Sequence, residues 1–186
     1  GLKGRAFEHV RDGIAWTDRR VLNAYEALGD AFAAGAREAG HQVEQISLRG
    51  RSIAFCMGCL ACQSVGQCVI QDDAVEIAEK MGRAEVIAFA TPIYYYGMCG
   101  QMKTMLDRSN PLFPSDYAFR DIYLLATAAD TEPTAMNGAI KGLQGWVDCF
   151  NKASLKGVVR GLGADALGSI AGNPALEEAY QTGLNL

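Results

Sequence analysis

Four of the chain's six cysteines fall close together, at Cys56, Cys59, Cys62 and Cys68, in the spacing C-x2-C-x2-C-x5-C. Three thiolates at steps of three on one tight loop can cap three corners of a cubane. The fourth, six residues on, can reach back to close a [4Fe-4S] cluster. Zinc is the second metal to weigh, although structural zinc sites usually present two separated pairs of ligands. A disulfide is a weaker reading, because nothing else here looks secreted. A free thiol that simply packs in a core is the plain alternative for one or two of the four. The spacing favours the metal cluster, on a cysteine-rich loop at about 54–71.

A second set of residues could hold a planar ligand. Thr91-Pro92-Ile93-Tyr94-Tyr95-Tyr96-Gly97-Met98-Cys99-Gly100 follows an apolar run, and Thr127-Ala128-Ala129-Asp130 follows another. Three tyrosines supply flat faces and hydroxyls, Gly97 and Gly100 let the backbone come close, and the small residues leave room for a ring system. Together the two loops could hold a flavin from opposite sides. The tyrosines could equally cover the end of a sheet or sit in a subunit contact. Cys99, beside this loop, could be a redox thiol, but a small packing role is favoured. Cys149, Trp146 and Phe150 are expected on the buried side of one helix. Asp72 and Asp73 read as helix caps before they read as metal carboxylates. His41 is expected at a helix–strand junction, and no Ser-His-Asp or paired-carboxylate set can be assembled, which argues against hydrolysis.

The elements that must position these residues follow from periodicity. Ala27, Leu28, Ala31, Phe32, Gly35 and Ala36 make the apolar stripe of a helix over 24–40, with Gly40 as its cap. A short strand is expected at Val43–Leu48, then the cysteine loop, then a helix from Asp72 through Met81. Val86–Ala90 and Ile122–Ala126 are continuous apolar runs, the mark of strands buried on both faces. Helices follow near Gln101–Arg108 and Met136–Phe150. A last strand lies near Leu155–Leu162 and a terminal helix begins about Pro174. Strands alternating with helices imply βαβ units and a doubly wound parallel sheet in a three-layer sandwich, with ligands at the carboxyl ends of the strands. Gly1–Trp16 should supply the first central strand, yet Arg5, Glu8, His9, Arg11 and Asp12 interrupt every candidate run.

Composition sets the outer limits. A length of 186 residues, 49% hydrophobic and 20% charged, describes one globular domain over 1–186. A net charge of −4 gives no basic field for nucleic acid. The longest apolar runs fall far short of a membrane span and no signal-peptide pattern opens the chain, so a cytoplasmic setting is expected.

Several stretches, in order, carry a resemblance. They are Cys-Met-Gly-Cys-Leu-Ala-Cys with Cys-Val-Ile-Gln-Asp-Asp, Ala-Thr-Pro-Ile-Tyr-Tyr-Tyr-Gly-Met-Cys-Gly-Gln-Met-Lys, Leu-Asp-Arg-Ser-Asn-Pro-Leu-Phe, Ala-Thr-Ala-Ala-Asp and Gly-Asn-Pro-Ala-Leu. From about Glu26 to Leu186 the chain resembles the flavodoxin-like NAD(P)H-dependent FMN reductases, and among them the iron–sulfur flavoproteins. The resemblance implies a flavodoxin-like five-stranded parallel sheet. It implies FMN against Thr91, Pro92, Ile93, Tyr94, Tyr95, Gly97 and Met98, with Thr127 and Ala128 facing them. It implies a [4Fe-4S] cluster on Cys56, Cys59, Cys62 and Cys68. Arg108 and Asn110 are weaker flavin candidates, for which a helix-capping ion pair accounts equally well. NAD(P)H or reduced ferredoxin would be the donor, a small molecule or protein the acceptor, and a homodimer or homotetramer the assembly. A cluster-free FMN/quinone reductase and a non-catalytic flavodoxin-fold binding protein are the alternatives.

The chain departs from the family pattern at its start. A phosphate loop of the form Gly-Ser-Pro-Arg-x-x-Gly-Asn-Thr is replaced by Thr17-Asp18-Arg19-Arg20-Val21-Leu22-Asn23-Ala24 after Trp16. Thr17, Arg19 and Asn23 can still offer phosphate contacts. Asp18 would repel the phosphate, and Val21 and Leu22 cannot adopt glycine-only backbone cheaply.

Overall fold

The computed structural model describes residues 24–166 and 168–186. The first strand expected within 1–16 and the phosphate candidates Thr17, Arg19 and Asn23 lie outside them. The described helices are α1 (Ala24–Glu38), α2 (Ala61–Val65), α3 (Asp73–Arg83), α4 (Gly100–Arg108), α5 (Asn137–Val147) and α6 (Pro174–Leu184). The strands are β1 (Val86–Tyr94), β2 (Gly97–Met98), β3 (Asp121–Thr127) and β4 (Ser154–Gly161), in the order β2-β1-β3-β4. β1, β3 and β4 run parallel, while β2 returns antiparallel on β1.

Among the described residues the sheet has three parallel strands and one short antiparallel strand, so the five parallel strands expected are not all seen there. The expected strand at Val43–Leu48 has no ladder there. Its apolar residues do their work without one, since Ile46 and Leu48 pack against the larger core. Alternation reports which side chains face a core, but a strand also needs a neighbouring backbone.

The sheet is buried on both faces because its apolar runs are continuous. Along β3, Ile122, Leu124 and Ala126 face one core and Leu125 the other, the two-residue period of a pleated strand. The smaller core sits under α1 and α6 and contains Leu28, Phe32, Val159 and Ala179. These two helices touch closely, because a methyl at Gly35 would overlap the Tyr180 carbonyl. The larger core lies under α3, α4 and α5. Its centre is aromatic: Phe119 stacks on Tyr117 at 4.3 Å and on Trp146 at 5.6 Å, with Phe150 edge-on at 5.0 Å. The Trp146 indole N–H donates to Ser109 Oγ at 2.9 Å, so α5 is tied to the turn that follows α4.

Candidate functional site

β1 does not stop at Ala90. It continues through Thr91-Pro92-Ile93 and turns back as a hairpin, with Ile93 opposite Met98 and Tyr94 opposite Gly97. Tyr95 and Tyr96 occupy the turn at φ 47° and 62°. Both central residues of a type I′ hairpin turn need positive φ, which favours Asn-Gly, and each bulky side chain there costs about 1–2 kcal/mol. The ring of Tyr95 is fully exposed, and Tyr94 and Tyr96 are 61% and 63% exposed. Strain and apolar exposure at one loop tip are the pattern of a segment shaped to meet something else.

The hairpin is held from beneath. Thr91 is completely buried, and its hydroxyl accepts from the Cys99 N–H at 3.1 Å while donating to the Pro92 carbonyl at 2.9 Å. α5 crosses so near that a methyl at Gly138 would overlap the Tyr96 carbonyl. Pro92 lies directly opposite Thr127 in the ladder, which brings the two expected ligand loops together at the carboxyl edge of the sheet. Thr127 and Ala128 are buried there. The Ala128 N–H is spent on the Gly161 carbonyl at 3.0 Å, and its carbonyl accepts from Ala164 at 2.8 Å. Ala128 thus offers a small surface and not a backbone donor. Gly97 is not forced into positive φ, and a methyl at Gly100 would meet nothing within 4 Å.

The cysteine segment is a loop closed at its base. The Arg108 guanidinium, at the end of α4, makes a two-pronged pair with Asp72 at 2.7 and 2.8 Å. Its remaining terminal N–H groups reach the carbonyls of Ala54 at 2.8 Å and Ile70 at 2.9 Å, the two ends of the loop. Asp72 also accepts from the Ala54 amide at 2.8 Å and caps α3 through the Ala74 amide at 3.1 Å. The pair is buried, with side chains 0% and 9% exposed. Burial pushes the Asp72 carboxyl up, but the hydrogen bonds from Arg108, Ala54 and Ala74 outweigh it and hold the group below its ordinary value. Asp72 in turn holds Arg108 above its ordinary value, against its own burial and with help from Cys68.

Within the loop, Cys62 rides on the short helix α2 and is buried, Cys68 is half-buried, and Cys56 and Cys59 are exposed. Gly58, Leu60 and Gly66 take positive φ and fold the loop back on itself. Among the described residues no three His, Cys, Asp or Glu side chains converge to metal-binding distance. The donor chemistry around the thiols nevertheless fits an iron–sulfur cluster. The Gly58 amide points at Cys56 Sγ at 3.4 Å, and the Asn110 side-chain amide at Cys62 Sγ at 3.0 Å. Arg108 Nε, at the base of the same loop, is buried with no hydrogen-bond partner. N–H groups aimed at sulfur are what a ligated thiolate uses.

α4 links the two loops. It begins at the hairpin and ends at the arginine that closes the cysteine loop. A groove of about 370 Å³ lies alongside its first turns, with Arg51, Ile53 and Phe55 on one wall and Gly100, Gln101 and Thr104 on the other. Of the sequence-derived expectations, Asp72 is the helix cap, and Trp146 and Phe150 are core residues. Cys149 is exposed, not buried, because α5 ends at Val147 and the helical phase is lost before it. Arg108 belongs to the ion pair and not to the hairpin. The hairpin turn, the loop clamp and the Asn110–Cys62 contact left no local sequence signal.

A three-layer α/β fold with its loops at the carboxyl edge of a parallel sheet is the flavodoxin-like class, and solved structures agree. An NAD(P)H:quinone oxidoreductase from Methanothermobacter marburgensis superposes with a TM-score of 0.64 at 19% identity, covering 88% of this chain and 91% of that one. The azoreductase AzrA gives 0.65 at 19% identity, covering 89% and 93%. Residues 24–143 match the model of the NADPH-dependent FMN reductases, and the chain belongs to that family. It is similar to an iron–sulfur flavoprotein of Methanocaldococcus jannaschii, 38% identical over 100 residues that cover 54% of this chain and 51% of that protein. Another, from Methanosarcina thermophila, is 33% identical over 109 residues, covering 59% and 56%. The chain spans about half the length of the curated relatives it matches. Among the described residues no helix is long and apolar enough to cross a membrane.

Proposed function

We propose that the protein is an FMN-dependent oxidoreductase that exchanges electrons with a [4Fe-4S] cluster held by Cys56, Cys59, Cys62 and Cys68. The observation that carries this reading is the arrangement along α4, in a chain of the FMN reductase family. A four-thiol loop with N–H donors facing its sulfurs lies at one end, and a strained aromatic hairpin at the other. Bound FMN would supply two-electron acceptance as hydride and single-electron release, and the cluster a one-electron relay. The protein's own part is positioning. Thr91 fixes the hairpin backbone, Pro92, Ile93, Tyr94, Tyr95, Gly97 and Met98 form one wall, and Thr127 and Ala128 leave space opposite. Thr17, Arg19 and Asn23 are the phosphate candidates.

NAD(P)H is the donor the family suggests and reduced ferredoxin the alternative. The acceptor is a small molecule or a second protein. Phe55, Met57, Leu60, Val65 and Val69 on the cysteine loop are at least half exposed, as are the hairpin tyrosines, which supports a homodimer or homotetramer. The setting is cytoplasmic, where thiols stay reduced.

The second reading is a cluster-free NAD(P)H-dependent quinone or azo-compound reductase. The lack of three converged ligands among the described residues favours it, as does the likeness to such enzymes. Titration with FMN followed by addition of NADPH tests the part both readings share. Quenching of flavin fluorescence, then bleaching of its absorption, is the outcome expected. A flavin whose spectrum never changes would instead support a binding protein without catalysis.

A further inference from the structure

We propose that Asn110 and Arg108 are positioning residues for the cysteine set, Asn110 donating to the Cys62 sulfur and Arg108 turning its open Nε–H to the loop it closes, and that they tune the charge of the group those thiols hold; this rests on the cluster reading above. An arginine carries five N–H groups. The four on the terminal nitrogens of Arg108 are all taken, two by Asp72 and one each by the carbonyls of Ala54 and Ile70. The fifth, on Nε, is buried and has no partner. A buried donor left open is rare and costly, so it points to an acceptor. The loop this guanidinium closes, from Ala54 to Ile70, is the one that carries the four cysteines.

Asn110 supplies the second donor. It opens the 3-10 turn after α4, and its Nδ2 stands 3.0 Å from the buried Cys62 sulfur. With Nδ2 towards the sulfur, the amide offers a donor to a thiolate; turned over, its carbonyl would repel one. The turn is fixed because buried Ser109, between these residues, takes the Trp146 indole bond. Donors and positive charge at cluster sulfurs favour the reduced, more negative state and raise the reduction potential.

The experiment uses the full chain, reconstituted without oxygen from ferrous iron and sulfide. Iron and sulfide per chain and the midpoint potential are measured for the wild type and for Asn110→Ala, Asn110→Gln, Asn110→Asp and Arg108→Lys. Asn110→Ala is expected to keep its iron at a more negative potential, Asn110→Asp to go further, and Asn110→Gln to recover towards the wild type. Arg108→Lys keeps the charge but loses the fork, so a chelator should strip its cluster several-fold faster. Loss of iron from Asn110→Ala that Asn110→Gln does not restore would count against the assignment. Wild-type potentials in Asn110→Ala and Asn110→Asp, both fully loaded, would overturn it even where Arg108→Lys fails to fold. A wild type that takes up neither iron nor sulfide would overturn the cluster reading, and this inference with it.

Discussion

Asp72→Asn should unfold this protein far more easily than an ordinary surface substitution would. The carboxylate accepts four hydrogen bonds, from two nitrogens of Arg108 and from the amides of Ala54 and Ala74. An asparagine carbonyl can keep the Ala74 cap and one bond from Arg108. Its amide nitrogen would then stand where Oδ2 now receives both the second Arg108 nitrogen and the Ala54 amide. Two donors would face a donor. Since Asn caps helices about as well as Asp, the cap itself cancels from the comparison. What is left is a guanidinium with no exposed side-chain surface and no counter-charge. Removing one partner of such a pair costs about 3–5 kcal/mol. With a urea slope of about 2 kcal/mol/M, the unfolding midpoint should fall by roughly 1.5–2.5 M. Replacing both partners, Asp72→Asn with Arg108→Met, should recover part of the loss, because the unpaired charge is gone. A single-variant loss below about 1 kcal/mol, at unchanged slope, would refute the claim that this pair closes the cysteine loop.

The same pair sets an acid limit. The folded-state pKa of Asp72 is depressed, so its contribution is fully present above the ordinary carboxylate value and fades as pH falls through the lower folded one. The midpoint gap between wild type and Asp72→Asn should stay constant from pH 8 to about 5 and close below about 4; a gap that closed near neutrality would contradict the sign. Tyr95→Asn with Tyr96→Gly should relieve two left-handed residues and raise stability by about 2–4 kcal/mol in urea. The same change should weaken FMN binding, measured by fluorescence titration, and unchanged affinity would detach the tyrosines from the ligand. Gly138→Ala should cost about 1–3 kcal/mol and disturb FMN binding, because the methyl overlaps the carbonyl of Tyr96; a neutral result would show that α5 does not brace the hairpin.

The strands could be read from the chain because Val86–Ala90 and Ile122–Ala126 are apolar without interruption, and only a sheet covered on both sides requires that. The helix stripes were legible for the same reason, as was the capping role of Asp72. Three features were not. That Val43–Leu48 forms no ladder among the described residues depends on a neighbouring backbone, which alternation cannot report. The tyrosine turn lacks the Asn-Gly that usually announces positive φ, and strain of this kind contradicts local preference instead of following it. The Arg108–Asp72 clamp joins residues 36 apart, and Asn110 meets Cys62 across 48. Such contacts are created by the path of α4 over the sheet. The four cysteines were visible as a set because their spacing is local. The donors that face them came only with the fold.

Co-isolation of iron, sulfide and flavin from one oxygen-free preparation tests the central claim most directly. The account predicts about four iron and four sulfide for each FMN bound, with a broad visible absorption beneath the flavin bands. A sample saturated with FMN yet free of iron, and still free after reconstitution, would contradict it.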